Sequence, residues 1–546
     1  MVALTIADLV EHAVDAVPER VALICGQDHL TYERLEERTN RLAHHLAEQG
    51  VGPGSHVGVY SQNSLEAVET MVAAYKLRAV AVNVNYRYVR NELHYVFDNA
   101  DLVALVHQRR YSDAVADVLP DVPGLRTVLS IEDGSGVALG EGEDYETALS
   151  QGSAERDFPE RSPDDLYILY TGGTTGHPKG VMWRQEDVWR VLGGGIDFTT
   201  GEVITDEYHQ SRQGAESGAL VTLPVAPLIH GAAQWVTLGG LFSGSTLVLV
   251  PQFDPHAVWQ AIQDHGVNVI SITGDAMARP MLEAFQEGDY DASSLLAFSS
   301  SAALFSQSVK EQYLEHLPNV IITDSIGSSE TGFGGLGIVQ AGSEQGGGPS
   351  VQPGKDAIVV DDDGRPVEPG SGVVGLFARG GHIPLGYYKD PDKTAAMFTE
   401  VDGRRYVTPG DSAVVEADGS ITLLGRGNMC VNTGGEKVFP EEVEGALKSH
   451  PDVFDAVVVG VADERLGQRV AAVLQLRPDR DADFAGIDAH VRTRIAGYKV
   501  PRSFWLADEI TRTPGGKPDY RWATRFTEEN PAAEHLDAAR ARGKGD

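Results

Sequence analysis

The chain has 546 residues, 42% hydrophobic and 7% aromatic, which describes an ordinary globular protein and excludes a disordered or fibrous one. That length is more than one hydrophobic core fills, so at least two or three folding units are expected. The formal net charge of −35 repels nucleic acid and anionic membranes and argues against both as main partners. Any anion site must then be a local island of Lys, Arg and backbone donors. The two cysteines, Cys25 and Cys430, stand far apart, so a disulfide framework is not expected and a reducing cytoplasm fits. The sequence shows no secretory leader and no apolar run long enough to span a bilayer.

Helix and strand alternate from the start. Thr5-Ile-Ala-Asp8 has the capping-box pattern, with Leu9, Val10, Ala13 and Val14 at helical spacing behind it. Val21 to Cys25 reads as a strand, and Thr31 to Gln49 as an amphipathic helix closed by Gly50. Val57 to Tyr60, a helix from about Leu65 to Lys76 and Ala79 to Asn83 give strand–helix–strand. A helix near Asn91 to Asn99 and a strand from Leu102 to Val106 continue the rhythm. Such alternation predicts an α/β fold with mostly parallel sheets covered on both faces.

Asp165 to Tyr170, apolar and aromatic, predicts a buried strand leading into a loop, Thr171-Gly172-Gly173-Thr174-Thr175-Gly176-His177-Pro178-Lys179-Gly180. Glycine lets backbone N–H groups approach an anion, threonine adds hydroxyl donors, and lysine adds a mobile charge. That chemistry suits a polyphosphate; a surface turn of small residues is the plain alternative. A Walker-type loop needs Gly-Lys followed by Ser or Thr, whereas Lys179 lies between Pro178 and Gly180. A nucleotide, if that is the polyphosphate, is then expected to be held in some other way.

Strands near Val221, Leu247, Val269 and Ile321 extend the α/β body. Near residue 425 the character changes. Pro440-Glu-Glu-Val-Glu444 has Pro at a favourable first helical position and acids in the first turn. Strands from Ala456 to Val461 and Val470 to Leu476, a helix from about Ile487 to Ile495, and Phe504 to Leu506 make a compact α+β unit at roughly 429–525. The expected division is a body of residues 1–427 and a small second domain of 428–546, frayed and polar from about 528.

Further clusters each have a bland reading when taken alone. His230 follows Pro224-Val-Ala-Pro-Leu-Ile and would pass for a packing histidine. Ser299-Ser-Ser301-Ala302-Ala303 is a small-residue turn, and Glu330 in Asp324-Ser325-Ile326-Gly327-Ser328-Ser329-Glu330 could ligate a metal or be solvated. Asp411, Arg426 and Lys517 lie on what could be charged or Pro/Gly turns.

In this order the clusters resemble the adenylate-forming superfamily of acyl-CoA synthetases, luciferases and peptide-synthetase adenylation domains. The resemblance runs from Leu30-Thr-Tyr-Glu-Arg-Leu35 and Asn40-Arg-Leu-Ala43 to Lys517, with Thr171 to Gly180 the most specific part. It implies a large N-terminal domain, a C-terminal lid that rotates about a hinge at Asn428, and two half-reactions. A carboxylate attacks the α-phosphate of Mg-ATP, giving acyl-adenylate and pyrophosphate; coenzyme A then takes the acyl group and AMP leaves. It also implies roles. Thr171 to Lys179 would hold the β- and γ-phosphates, with Thr175 and Glu330 on Mg²⁺. Ser301, Ala302, Ala303 and the run Asp324 to Ser329 would line AMP, with Asp411 on the ribose and Arg426 beside it. His230 would stand at the acyl entrance with Ala233, Trp235 and Phe333 near it, and Gly435 and Lys437 would face coenzyme A. Lys517 would bridge carboxylate and α-phosphate in the first half-reaction only. A homodimer follows from analogy alone.

Two departures stand out. The superfamily often has Tyr-Gly-x-Thr-Glu where this chain has Ile326-Gly-Ser-Ser-Glu330, so adenine stacking would give way to apolar contact. Asn428 replaces the usual charged hinge residue. Gly-Val-Met-Trp-Arg-Gln-Glu-Asp187 after the loop is similar to the actinobacterial branch acting on steroid side-chain and other bulky acids. Gly193-Gly-Gly195, Gly231-Ala-Ala233 and Gly332-Phe-Gly-Gly335 would leave volume for a fused-ring acid, or would serve turns and close packing. A medium- or long-chain fatty acid, and an acyl-AMP ligase that loads a carrier protein, are the alternatives.

Overall fold

In the computed structural model, the structure describes residues 5–171, 177–192, 195, 204–218, 220–301, 303, 305–339, 350–354, 356–426, 430–433, 436–463, 466–513 and 516–536. Thr5 caps the first helix, Ile6–Ala16, by accepting the Asp8 backbone N–H at 3.3 Å. Ser64 caps the helix Leu65–Lys76 in the same way, accepting from Ala67 at 3.2 Å. Both helices start where a side-chain oxygen meets an N–H that has no partner within the helix.

The helices Ile6–Ala16, Tyr32–Glu48 and Leu65–Lys76 share a buried charge cluster. Lys76, with no side-chain exposure, donates to Glu11 at 2.6 Å and to Glu36 at 2.8 Å. Arg161 reaches Glu11 at 2.8 Å from the other side. Burial would raise the Glu11 carboxyl, but the bonds and charges of Arg161 and Lys76 outweigh it and bring it to about 2.

Strands His56–Tyr60, Val80–Asn83, Leu102–Gln108, Thr127–Ile131 and Glu143–Asp144 form a five-stranded sheet, parallel throughout. A second, fifteen-stranded sheet has two characters. Val21–Cys25, Thr246–Leu249, Val221–Pro224, Val269–Ile272, Ala297–Ser300 and Ile321–Ser328 run parallel, as the alternation predicts. From Gly332–Val339 the sheet continues antiparallel through Ser350–Pro353, Ile421–Arg426, Asp411–Val415 and Gly375–Arg379. Short connections allow antiparallel pairing where no crossover helix intervenes.

The stretch expected as a loop up to Gly180 is narrower than that. Leu166–Thr171 and Lys179–Arg184 are antiparallel partners, with Tyr170 opposite Gly180 and Thr171 opposite Lys179. Gly386–Tyr387 adds a third strand. Lys179 is therefore anchored on a ladder and not carried on a loop.

The C-terminal part has its own six-stranded sheet, dominated by the hairpin Val453–Asp463 and Gly467–Leu476, with helices Pro440–Lys448 and Phe484–Arg492. Val443, Leu447, Val458, Ala472 and Phe504 form a core separate from that of the body. The fold is α/β, a large N-terminal domain followed by a small one. Residues 528–536, expected to be frayed, are ordered into the small domain. Helix Tyr520–Glu529 is followed by Glu534–His535, which pairs with Ser503–Phe504, and Leu536 is buried against the small core. A sheet edge and an apolar side chain hold what its polarity suggested would be loose. Among the described residues, no helix is long and apolar enough to cross a membrane.

Candidate active site

Backbone polar groups at the carboxyl ends of parallel strands face a crevice, the usual ligand position in open α/β sheets. Here Val221–Pro224, Val269–Ile272, Ala297–Ser300 and Ile321–Ser328 end side by side. Gly274 donates to Ser300 Oγ at 3.2 Å, Ser325 Oγ donates to the Ser300 carbonyl at 3.1 Å, and Ser301 N donates to the Ile272 carbonyl at 3.2 Å. Thus Ser301, Ala303 and Ser325 lie on this edge; Ala302 lies outside the described residues.

Two buried asparagines that sequence reasoning missed fasten the neighbouring turns. Asn83 donates to the Tyr170 and Ile229 carbonyls, both at 2.7 Å, and accepts from Tyr170 N at 2.8 Å. Asn63 accepts from Leu228 N at 2.7 Å and donates to the Val250 carbonyl at 3.1 Å. Together they fix the exit of the hairpin strand and the turn that delivers His230 to the start of helix Gly231–Phe242.

Glu330 sits at the tip of the connection between Ile321–Ser328 and Gly332–Val339. Ser328 Oγ accepts from Glu330 N at 3.2 Å and Thr331 N at 3.1 Å, which shapes that tip. Gly327 must be glycine, since a Cβ there would stand 2.2 Å from the Gly332 carbonyl oxygen. Tyr387 donates to Glu330 Oε1 at 3.0 Å, while Lys179 Nζ stands 5.0 Å from the centre of the Tyr387 ring. The ring therefore links Lys179 to Glu330. Trp183, on the same hairpin, donates from its indole to the Ser329 carbonyl at 3.0 Å. Asp411 and Arg426 face each other as register partners.

The turn carrying Lys517 is braced inside the small domain. Thr513 N donates to the Lys517 carbonyl at 2.8 Å, and Lys517 N donates to Thr513 Oγ1 at 3.1 Å. Arg512 grips Asp455 with two nitrogens and donates to the Gly516 carbonyl at 2.8 Å. Gly516, at φ +76, lies so close to the body that a Cβ would come within 3.0 Å of Ala276 Cβ and Thr273 Oγ1. The lysine turn thus meets the crevice edge at the end of Val269–Ile272, with Lys517 itself exposed.

Several expected residues also have contacts within the protein. Asp324 is buried in an ion pair with Lys310; burial pushes its carboxyl up despite that partner. Ile326 packs with Val351 and Phe377 in a small core, so its apolar contact is made to protein. Ala233 belongs to the main core. Trp235, partly buried, donates to Tyr167 OH at 3.1 Å, and the Phe333 carbonyl accepts from Arg379 at 2.9 Å. Among the described residues, Gly195, Gly231 and Gly334 do not leave volume. A Cβ on Gly231 would meet Leu169 Cδ2 at 2.6 Å, on Gly334 the Phe377 ring at 2.5 Å, and on Gly195 the Arg190 backbone at 2.7 Å. Close packing is the reason these positions are small. Gly172, Gly173, Thr174, Thr175, Gly176, Asn428 and Gly435 lie outside the described residues, and for Arg426 and Lys437 only the strand backbone is described.

Fold and crevice together define a two-domain α/β protein with a ligand-type crevice at the ends of its parallel strands. The chain belongs to the AMP-binding enzyme family, which matches residues 10–388, with the AMP-binding enzyme C-terminal domain at 442–517. It is 61% identical over 541 residues to a 3-oxocholest-4-en-26-oate–CoA ligase of Rhodococcus rhodochrous, covering 97% of each chain. It is 58% identical to a medium/long-chain-fatty-acid–CoA/3-oxocholest-4-en-26-oate–CoA ligase of Mycolicibacterium smegmatis, covering 99% of this chain and all of that one. Among solved structures, an anthranilate CoA ligase bound to anthranoyl-AMP shares the fold at a TM-score of 0.85 and 21% identity, covering 97% of this chain and 99% of that chain. The chain is an acid–thiol ligase of the AMP-forming kind.

Proposed function

We propose that this protein activates a bulky hydrophobic carboxylic acid, of the 3-oxocholest-4-en-26-oate kind, and transfers it to coenzyme A. The observation that carries the reading is the seating of the Lys517 turn, from one domain, against Thr273 and Ala276 at the crevice of the other. A reaction that needs a cation in one step and its removal in the next suits a residue on a separate domain. The substrate class rests on the relatives named above.

In the first step a carboxylate oxygen bonds to the α-phosphorus of ATP and the bond to the pyrophosphate oxygen breaks. Lys517 neutralises charge at both reacting groups, and Lys179 with the loop Thr171 to Gly176 holds the departing β- and γ-phosphates. In the second step the thiol gives its proton to solvent and its sulfur bonds to the acyl carbon, while the bond from that carbon to the phosphate oxygen breaks and AMP departs with the electron pair. Asp411 receives the ribose hydroxyls, with Arg426 beside it, and Ser301 to Ala303 line the base through backbone groups. His230 marks the acyl entrance.

Among the described residues, no three His, Cys, Asp or Glu side chains cluster to hold a metal by themselves. Glu330, with Oε1 tied to Tyr387, offers one hard oxygen, which fits Mg²⁺ taking most of its ligands from phosphate and water. Bound there with Thr175, the ion would neutralise phosphate charge. The body ends with strand Ile421–Arg426 and the lid sheet starts at Val431–Thr433, which supports a division at 427/428 with Asn428 as hinge. Two free, separated cysteines suit a cytoplasmic setting.

The test is acid-dependent AMP release with and without coenzyme A. Lys517→Ala should lower adenylate formation by about a hundredfold or more yet still convert preformed acyl-adenylate to thioester. Normal adenylation by that variant would sink the assigned role. A thioester-free product in mass spectrometry would favour carrier loading. Since relatives also act on medium- and long-chain fatty acids, a thermal-shift panel with ATP separates the classes. Stabilisation by linear acids alone would overturn the steroid reading.

A further inference from the structure

The lid touches the body along helix Asp275–Glu287, and the contact there is ionic. Asp275, 2% exposed at its side chain, pairs with Lys448 of the lid at 3.3 Å and with Arg279 one turn on at 3.4 Å. It also accepts from Ser306 N at 2.8 Å. Arg279 donates to the Lys448 carbonyl at 3.0 Å, placing a cation at the carboxyl end of helix Pro440–Lys448, where the helix dipole favours one. Further along, Arg477 of the lid meets Glu283 at 2.6 Å.

The same helix receives the lysine turn. Ala276, next to Asp275, is the residue against which Gly516 packs. The order is therefore continuous: Lys448 fixes on Asp275, Gly516 lands on Ala276, and Lys517 follows. Arg512, gripping Asp455 and the Gly516 carbonyl, makes the turn move with the lid as one piece. A groove of about 330 Å³ runs beside the contact, lined by Arg279, Lys448 and Arg477. Those cations are bonded to Asp275 or Glu283, which makes the groove a seam between domains.

An ion pair buried between two bodies adds little net stability, yet it demands one geometry, because either charge left alone is costly. We propose that Asp275, Lys448 and Arg279 are positioning residues for adenylation: they seat the lid in the one orientation that brings Lys517 to the crevice. The proposal rests on the ligase reading above. It requires the seat to be released before thioester formation, so breaking it should harm one half-reaction and spare the other.

The experiment measures the half-reactions separately in the full-length protein: acid-dependent ATP–pyrophosphate exchange, and thioester formation from preformed acyl-adenylate and coenzyme A. Lys448→Met and the isosteric Asp275→Asn should each lower exchange by roughly a hundredfold, as expected of a misplaced catalytic group. Thioester formation should remain at or above the wild-type rate, and Lys448→Arg should restore much of the exchange. Unchanged exchange in both variants overturns the proposal. So does a parallel fall in both half-reactions with a lowered melting temperature, which would make the cluster merely structural. Failure of the ligase reading would show instead in the wild type, as absence of both half-reactions with every acid tried.

Discussion

Gly231 separates two readings of the small residues around His230. If it left room for substrate, Gly231→Ala would alter only the range of acids. A Cβ there would press on Leu169 Cδ2 and the Trp235 ring, so we expect a loss of about 1–3 kcal/mol from overpacking, read as a lower melting temperature without ligand. An unchanged melting temperature with altered acid preference would return the glycine to the pocket. At this scale Glu330 and Lys517 are singled out in the sequence only because their order along the chain resembles a known pattern. Tyr387 is not, since its bond to Glu330 spans 57 residues and no period or spacing connects them. Asn83 and Asn63 were equally hidden: an asparagine shows its value only when the carbonyls it satisfies are in place.

Among the elements, strongly periodic ones were readable almost to the residue. The helix Leu65–Lys76 and the strand at Val269 fall where expected. The strand Lys179–Arg184 did not declare itself, because Pro178 and Gly180 read as turn residues and its partners include Gly386–Tyr387, far along the chain. Helix Asp275–Glu287 carries Pro280 in its interior, a signal that argues against a helix from sequence alone. The lid helix Pro440–Lys448 hides a different anomaly. Glu444 is buried there, and burial pushes its carboxyl up to about 7 even though Lys448 and the Val458 N–H favour the charged form. An acid raised in the folded state binds a proton more tightly there than in the unfolded chain. Lid stability therefore falls as pH rises from about 4.5 to about 7, and is level above that. Glu444→Gln should slow hydrogen exchange of lid amides at pH 8 relative to wild type and leave it nearly unchanged near pH 4. Equal rates at both values would show that the carboxyl is not strained by burial.

For the whole molecule, composition gave size and charge but not the antiparallel half of the large sheet, because alternating strands and helices hold no record of where alternation stops. The charge cluster around Lys76 joins three N-terminal helices. Lys76→Met leaves Glu11 to Arg161 and Glu36 to Arg156 and, with one buried partner lost from each, should cost about 1–3 kcal/mol in urea unfolding. A loss below about 1 kcal/mol would mean the helices are held by apolar contact alone. Glu11, held near 2, contributes stability that is complete above about 4.5 and is lost as pH falls from there toward 2. Acid unfolding should accordingly start at this corner, seen as early exchange of amides in Ile6–Ala16.

The strand Val21–Cys25 has its parallel partner at Thr246–Leu249, with Leu23 opposite Leu247. A ribosome adding about 5–20 residues per second needs on the order of ten to forty seconds to travel from one to the other. Throughout that interval a strand buried at Ala22 and Leu23 in the finished fold has only the short Asp28–Thr31 hairpin arm hydrogen-bonded to it. The nascent chain thus carries a sticky apolar edge for most of the time it takes to make the body, a hazard that slower elongation would prolong and a holding chaperone would relieve.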